Sequence, residues 1–371
     1  GSEMCIRDSI QVNLFILTMR FFYLISFLIC FETLSEKDVF LVKPTVETKS
    51  VYSMGDAADD PAVWVNSKNS YESLIFGTDK QAGIHVYDLN GQELSFSKIG
   101  KMNNIDLRDF NGSLYVVSSN RSLNTIDLWS FNNENLFQFF SGSSPFTEKS
   151  KLRAIKIEFD VYGICMGIID NNLIAIVTEH DGSRVQLWDL LKQRLLKEID
   201  IIEDEINPSA EGNESEGCVV DDQNEIIFIS REGSDGILKA FSAEDLSLIK
   251  RIDDREGFID DDPEGIAIYA TSASEGYILL SSQGDGTVNL YDRNHPFEYQ
   301  GSFRVTFNKK GIDGASDTDG IEVISKRLGK DYPRGLLVVQ DGYNDEDTKQ
   351  GNQNFKYVSF QDVINNLKLK K

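Results

Sequence analysis

Six stretches of this chain share one pattern. Each is a short run of aliphatic and β-branched residues that breaks off into a polar turn: LIFGTDK (74–80), LYVVSSNR (114–121), LIAIVTEH (173–180), IIFISRE (226–232), ILLSSQG (278–284) and LLVVQDG (336–342). Their starts lie 40, 59, 53, 52 and 58 residues apart. A partner run follows each one (IHVYDL, TIDLWSF, RVQLWDL, ILKAFSA, TVNLYDR, NFKYVSF), and most of these alternate as half-buried strands do. A shorter run precedes each: PAVWV, NIDLR, YGICMGI, EGCVV, EGIAI and DGIEV. With a fourth strand such as ELSFSKI (93–99), every unit is a four-stranded meander. Six such units predict an all-β fold, a six-bladed β-propeller with four-stranded antiparallel blades. The last unit has no evident fourth strand, because FQDVINNLK patterns as a helix. The segment from Val39 to Val51 is expected to supply that strand from the N-terminus and close the ring. Two stacked sandwich domains are the alternative, but no linker-like stretch supports such a split.

The repeat carries a geometric consequence. In an antiparallel meander, the start of strand 1 and the end of strand 2 lie at the same edge. Before strand 1 stand Asp59 and Asp60; Asn103 and Asn104; Tyr162; Glu216; Asp262 and Glu264; and Asp317 and Asp319. After strand 2 stand Asp79 and Lys80; Asn120 and Arg121; Glu179, His180 and Asp181; Arg231 and Glu232; Gln283 and Asp285; and Asp341 and Asn344. Nearly every polar candidate is therefore expected at one mouth of the central channel, as a ring composed mostly of carboxylates.

Composition narrows what such a ring does. The chain has 371 residues, with 60 acidic against 37 basic side chains and a net charge of −23. That balance repels nucleic acid and anionic membranes and attracts cations. GSEMCIRDS, at the start, resembles a translated library adapter, so residues 1–18 are expected to be a non-native or untranslated leader. From Met19, MRFFYLISFLICF has one basic residue and then an apolar run of signal-peptide length. Residues 19–35 are accordingly expected to be a signal peptide, 36–371 the propeller, and the mature protein secreted or periplasmic. A membrane helix extended back to Ile10 is the competing assignment, interrupted by Arg20; FLI before Cys30 makes a poor lipoprotein cleavage site. Excluding leader and signal leaves Cys165 and Cys218, whose distances from corresponding glycines place them on opposite strand faces; both are expected to be buried and unpaired. His85, His180 and His295 are scattered, against a histidine-based transition-metal centre.

Oxygen ligands on flexible loops favour a hard cation, calcium before magnesium. Turns alone enrich Asp, Asn and Gly, so a single Asp-Gly carries no weight; the set on one face does. Lys80 and Arg121 occupy equivalent points in neighbouring units. They serve either as salt-bridge partners of the adjacent acids or as a phosphate clamp, Arg121 offering a planar fork. No Ser-His-Asp or Cys-His set emerges on this face, so hydrolysis here would be metal-assisted. Three classes fit: a calcium-dependent phosphatase, a metal-dependent six-bladed lactonase or sugar-acid hydrolase, and a non-catalytic calcium-binding scaffold. The basic pair favours the first, since a neutral lactone needs no cationic clamp.

DAADDPAVW, KMNNIDLR, SSNRS, EGCVVDD, SSQGDGTVNLYDR, DGASDTDGIEV and QDGYN–NQNFK resemble, in the same order, the β-propeller phytases, from about Glu47 to Asp362. The resemblance implies a secreted, calcium-dependent phosphatase that hydrolyses phytate, often as its calcium complex, to lower inositol phosphates. It implies catalytic calcium ligands at Asp59, Glu216, Asp262, Glu264 and Asp319, with Glu232 beside them. It implies structural calcium ligands at Glu47, Asp60, Asp313, Asp341 and Asn344, with the carbonyls of Pro61 and Ile105 adding to them. Lys80 and Arg121 match the phosphate-binding cations and Tyr162 the phenol. A calcium-bridged water is implied as the nucleophile, and a neighbouring phosphate pocket as the grip on the inositol ring. His180-Asp181 stands where many members carry Lys-Glu, and Arg231 replaces a common acid. A histidine ordinarily carries charge only below about pH 6.5, so weaker phosphate binding at alkaline pH is expected than with a lysine. Neither nucleic acid nor a stable membrane association is expected as a partner, and the protein is expected to be a monomer.

Overall fold

The computed structural model describes residues 37–142, 144–202, 214–233, 236–344 and 351–370; the leader and the signal segment lie outside them. Six antiparallel sheets follow one another along the chain. Blade 1 runs Ala58–Trp64, Leu74–Asp79, Gly83–Tyr87 and Glu93–Lys98; in every blade the first strand in sequence lines the channel. The other inner strands are Met102–Phe110, Val161–Ile169, Cys218–Asp221, Pro263–Ala270 and Ile321–Ile324. As the sequence predicts, blade 6 lacks a fourth strand of its own, and Pro44–Glu47 pairs antiparallel with Asn354–Ser359 to complete it. The segment FQDVINNL is a helix, Phe360–Leu367.

Only part of the expected closing segment, Val39 to Val51, closes blade 6. Val39–Val42 adds to the outer edge of blade 5 in parallel, Val39 opposite Ser302, as a fifth strand. The helix covers it, burying Phe360, Val363 and Ile364 in the cluster shared by blades 5 and 6. A parallel edge strand under a helix is an edge closed to further pairing.

Among the described residues, a cluster of buried apolar side chains fills each of the six interfaces between neighbouring blades. Between blades 1 and 2 it is strongly aromatic, with Phe76, Trp129, Phe131, Phe140 and Phe146 together. Both faces of every blade are therefore buried, which explains why the second strands read as continuous apolar runs.

The structure corrects the assignment of the two mature-chain cysteines. Cys165 and Cys218 form a disulfide between the inner strands of blades 3 and 4, with Cα atoms 5.7 Å apart. Their placement on opposite strand faces holds, but its consequence was misjudged. In a ring of stacked sheets, opposite faces of adjacent blades are the ones that meet. Both residues pack in the blade 3–4 interface.

Candidate active site

The polar ring is built by a device that recurs around the channel. At the mouth end of blade 1, Ala58 faces Asp79 and Pro61 faces Gly77, three steps on the inner strand against two on its neighbour. The same excess separates Met102 from Ile105, Val161 from Ile164 and Pro263 from Ile266. Blade 4 repeats it in hydrogen bonds: Glu232 N donates to Glu214 O at 3.0 Å and Ser230 N to Gly217 O at 2.9 Å. Each extra residue is a β-bulge, which re-aims side chains at a sheet end. Asp59, Asn103, Tyr162, Glu216 and Glu264 all lie within these bulges. All but Glu216, which lies two residues ahead of Cys218–Asp221, are thus on the inner strands rather than in loops ahead of them, and strand geometry holds them.

Hydroxyls on the second strands hold the bulges. Thr78 Oγ1 accepts from Asp60 N at 2.9 Å, and Thr178 Oγ1 accepts from Gly163 N at 2.9 Å. Ser281 Oγ accepts from Gly265 N at 2.8 Å and donates to Asp319 O at 2.9 Å. Ser230 Oγ donates to Glu264 O at 3.0 Å. Sequence reasoning missed these positioning residues, although a Thr or Ser near the end of strand 2 recurs in the repeat. Glycines allow the blades to meet there. A Cβ on Gly217 would lie 1.6 Å from the carbonyl oxygen of Glu264, so only glycine fits beside that acid.

At the end of strand 2, side chains divide by position. Asp79 turns away to accept from Ser53 N and Gln81 N; Asn120 binds Asp127, and Glu179 pairs with Arg184. The next residue along enters the mouth: Lys80, Arg121, His180, Glu232 and, in blade 5, Gln283. Lys80 Nζ lies 2.8 Å from Asp56, 3.2 Å from Asp59 and 3.0 Å from Asp319. Gln283 Nε2 donates to the other oxygen of Asp319 at 2.6 Å. Arg121 Nη1 donates to Asn103 Oδ1 at 2.9 Å, and the Asn103 amide donates to Glu216. The Arg121 guanidinium sits 5.4 Å from the Tyr162 ring, whose edge meets the His180 ring at 5.1 Å. Lys80, Tyr162, Glu216, Glu232, Glu264, Gln283 and Asp319 line a cavity of about 530 Å³.

Four assigned ligands sit apart from this cavity. Asp262 does not line it; it pairs with Arg255, a cation the sequence reading did not single out, and accepts from Gly233 N at 3.2 Å. Asp60, Pro61 and Ile105 line the channel below the mouth, where Ile105 N donates to Asp60 Oδ2 at 3.0 Å. The remaining set converges elsewhere. Glu47, Asp313, Asp341 and Asn344 surround the fully buried ammonium of Lys356, with Asp341 at 3.1 Å and Asn344 at 3.2 Å. The sequence groups these residues with Asp60; the structure divides them between two places. Three carboxylates against one ammonium leave that cluster with an excess negative charge of two.

The mouth favours cations or protons over its own ionisation. Asp59, Glu216, Glu264 and Asp319 are buried, and Glu232 is half-buried. Burial raises the Asp59 carboxyl well above its ordinary range, and Glu216 adds to this. Burial and Glu216 do the same to Glu232; burial with Glu232 and Glu216 does so to Glu264. Burial carries Asp319 to about 6 although Lys80 opposes it. Glu216, Glu232 and Glu264 each offer an oxygen within 4.8 Å of the others. Asp59 Oδ1, Glu232 Oε1 and Glu264 Oε2 are buried without a hydrogen-bond partner among the described residues. Oxygen-only donors, orphaned and crowded, fit a hard divalent cation.

Against known proteins, residues 15–371 match the family model described as Phytase. The chain belongs to the phytase family. It is 34% identical over 355 residues to the 3-phytase of Bacillus subtilis (strain 168), covering 90% of this chain and 87% of that protein. Its fold is also similar to a solved structure, "Crystal structure of RRP9 WD40 repeats", with a TM-score of 0.50, 13% identity, and 86% and 84% of the two chains covered. That last likeness is one of propeller architecture alone.

Proposed function

We propose that this mouth hydrolyses the phosphomonoesters of phytate with calcium held among Asp59, Glu216, Glu232, Glu264 and Asp319. Membership of the phytase family makes the chain a phytate-hydrolysing enzyme. The observation that carries the calcium reading is the set of buried carboxylate oxygens, of Glu232 and Glu264 in the cavity and of Asp59 beside it, that have no hydrogen-bond partner among the described residues, with the Lys80 ammonium against Asp59. Divalent cations bound there would polarise phosphoryl oxygens and activate a water. The buried clusters at Asp60, with the carbonyls of Pro61 and Ile105, and at Glu47, Asp313, Asp341 and Asn344 are proposed as structural calcium sites.

The chain's own groups supply binding and orientation. Lys80 is committed to three carboxylates as long as these lack another cation. With their charge offset, its ammonium is released to meet a phosphate oxygen. Arg121 uses one nitrogen on Asn103 and keeps the rest of its fork for the same purpose. Burial and Glu216 hold the Tyr162 phenol well above its ordinary pKa, so it stays protonated and donates a hydrogen bond. His180 and Asp181 lie on the far side of the Tyr162 ring and mark a neighbouring phosphate pocket. The lactonase reading gives no use for Lys80 and Arg121.

We further propose export to a secreted or periplasmic location, with residues 1–18 a foreign leader, 19–35 the signal and the mature protein a monomer. The disulfide supports an oxidising compartment. Among the described residues no helix is long and apolar enough to cross a membrane.

The deciding experiment measures phosphate release from phytate and from an aryl phosphate, each titrated with calcium and then with chelator. The expected outcome is release that rises with calcium, is abolished by chelation, and is faster for phytate. Calcium-independent release would overturn the calcium reading.

A further inference from the structure

The rim of blade 3 carries a second ligand cluster of different chemistry. We propose that His180, Asp181 and Glu214 form a zinc site separate from the carboxylate ring, so that the phosphate pocket proposed at His180 and Asp181 is one carried by a metal. The three residues each offer one ligand atom, and all of these lie within 4.8 Å of one another. His180 Nδ1 is 3.1 Å from Asp181 Oδ2, and its Nε2 is 4.0 Å from Glu214 Oε2. Tetrahedral zinc, with bonds of about 2.0–2.2 Å, sets its ligands about 3.4 Å apart. One zinc takes one ring nitrogen, so the acids that face Nδ1 and Nε2 must converge on the same one; from a spread of up to 4.8 Å the closure is about 1.4 Å, by side chains at a solvent-facing rim.

The cluster is held before any metal arrives. His180 N donates to Asp160 O at 2.7 Å, and the imidazole ring rests on the edge of Tyr162. Asp181 adopts a left-handed φ of +54°, which turns its backbone N–H onto Glu214 Oε2 at 2.9 Å. Glu214 is itself fixed through its carbonyl, which accepts from Glu232 N. Among the described residues, Arg184 is engaged with Glu179 and Arg121 with Asn103. Two carboxylates and a neutral imidazole match the charge of one divalent ion.

Ligand chemistry selects the metal. Calcium takes six to eight oxygens, which the described residues of this rim do not gather; one imidazole and two carboxylates suit zinc and leave a fourth position open. In the mouth, by contrast, the ligands are oxygen alone. The two sites therefore divide the metals between them, a calcium ring inside and a zinc site at the rim beside Tyr162.

The test uses the full chain saturated with calcium, titrated with zinc by calorimetry while the imidazole resonances of its three histidines are followed by NMR. One equivalent of zinc is expected to bind and to shift His180 while leaving His85 and His295 in place. His180→Gln and Glu214→Gln should each weaken that binding at least about tenfold, whereas Glu232→Gln, in the ring, should not. Zinc binding that survives His180→Gln, or that leaves the His180 resonance unmoved in the unsubstituted protein, overturns the proposal. So does the absence of zinc binding.

Discussion

At the scale of single residues, Lys80 connects stability to function. Its ammonium touches Asp56, Asp59 and Asp319, and burial, which alone would lower its pKa, is outweighed by Asp59, Asp319 and Glu216. Lys80→Met removes a charged hydrogen-bond donor worth about 1.5–3 kcal/mol, so kcat/KM for phytate should fall roughly 10- to 150-fold. The same change leaves the buried Asp59 without its cation. The melting temperature in chelator should therefore drop, and calcium should shrink the difference. Equal losses of stability with and without calcium, at unchanged kcat/KM, would reduce Lys80 to a salt bridge. A second buried acid offers a cleaner pH readout. Glu322 lies in the channel beyond the mouth, and burial with Asp106 carries it to about 8, against the opposing pull of Arg108. A carboxyl raised in the folded state keeps its proton on folding, so its contribution is complete below the unfolded pKa and is lost as pH rises through the folded one. Glu322→Gln should match the parent in melting temperature near pH 4.5 and become the more stable of the two by pH 8 to 9. Thermal melts across that window check the sign.

At the scale of elements, the disulfide joins inner strands 53 residues apart in sequence, immediately below Glu216 and Tyr162. Closing a loop of that length stabilises by roughly 4 kcal/mol in the chain-entropy account, with about 2–4 typical. A Cys165→Ser/Cys218→Ser protein should melt several degrees lower and need more calcium for half-maximal activity, since Glu216 lies two residues before the freed strand. Unchanged calcium demand with a lowered melting temperature would confine the bridge to stability. The bridge also shows where the sequence stopped being informative. Strand number, order and the N-terminal closure were legible, because each apolar run repeats and each buries both faces. The convergence of Asp59, Glu216, Glu264 and Asp319 was legible too, since it follows from strand direction alone. The bulges, the Thr and Ser hydroxyls that pin them and the pairing of Cys165 with Cys218 were not. The bulges and their pins lie within a blade but leave no mark in the apolar pattern, whereas the cysteine pairing depends on how one blade meets the next, which a single unit of the repeat does not encode. Val39–Val42 was expected to help close blade 6 and joins blade 5 instead: a short strand with no partner nearby in sequence does not say which edge it pairs with, and the edge of blade 5 and the covering helix decide it.

At the scale of the whole molecule, a net charge of −23 is concentrated in function at one end of a rigid ring. Apart from a cation, protons are the available means of quieting the mouth. Asp59, Glu232 and Glu264 are all raised well above the ordinary carboxylate range, and Asp319 stands at about 6. The folded, chelated protein thus binds more protons than the unfolded chain between about pH 4 and 6 and above. Its stability must fall as pH rises through that interval. Calcium reverses the slope, because it competes with protons for the same oxygens and binds better as they leave; its stabilisation grows as RT ln(1 + [Ca]/Kd). Melts in excess chelator should therefore show the protein more stable at pH 5 than at pH 8, while melts in excess calcium should show the gap closed or inverted. Parallel pH profiles in chelator and in calcium would mean that the carboxylates neither hold protons nor trade them for metal. The calcium ring would then have no physical basis, whatever the rate of phosphate release.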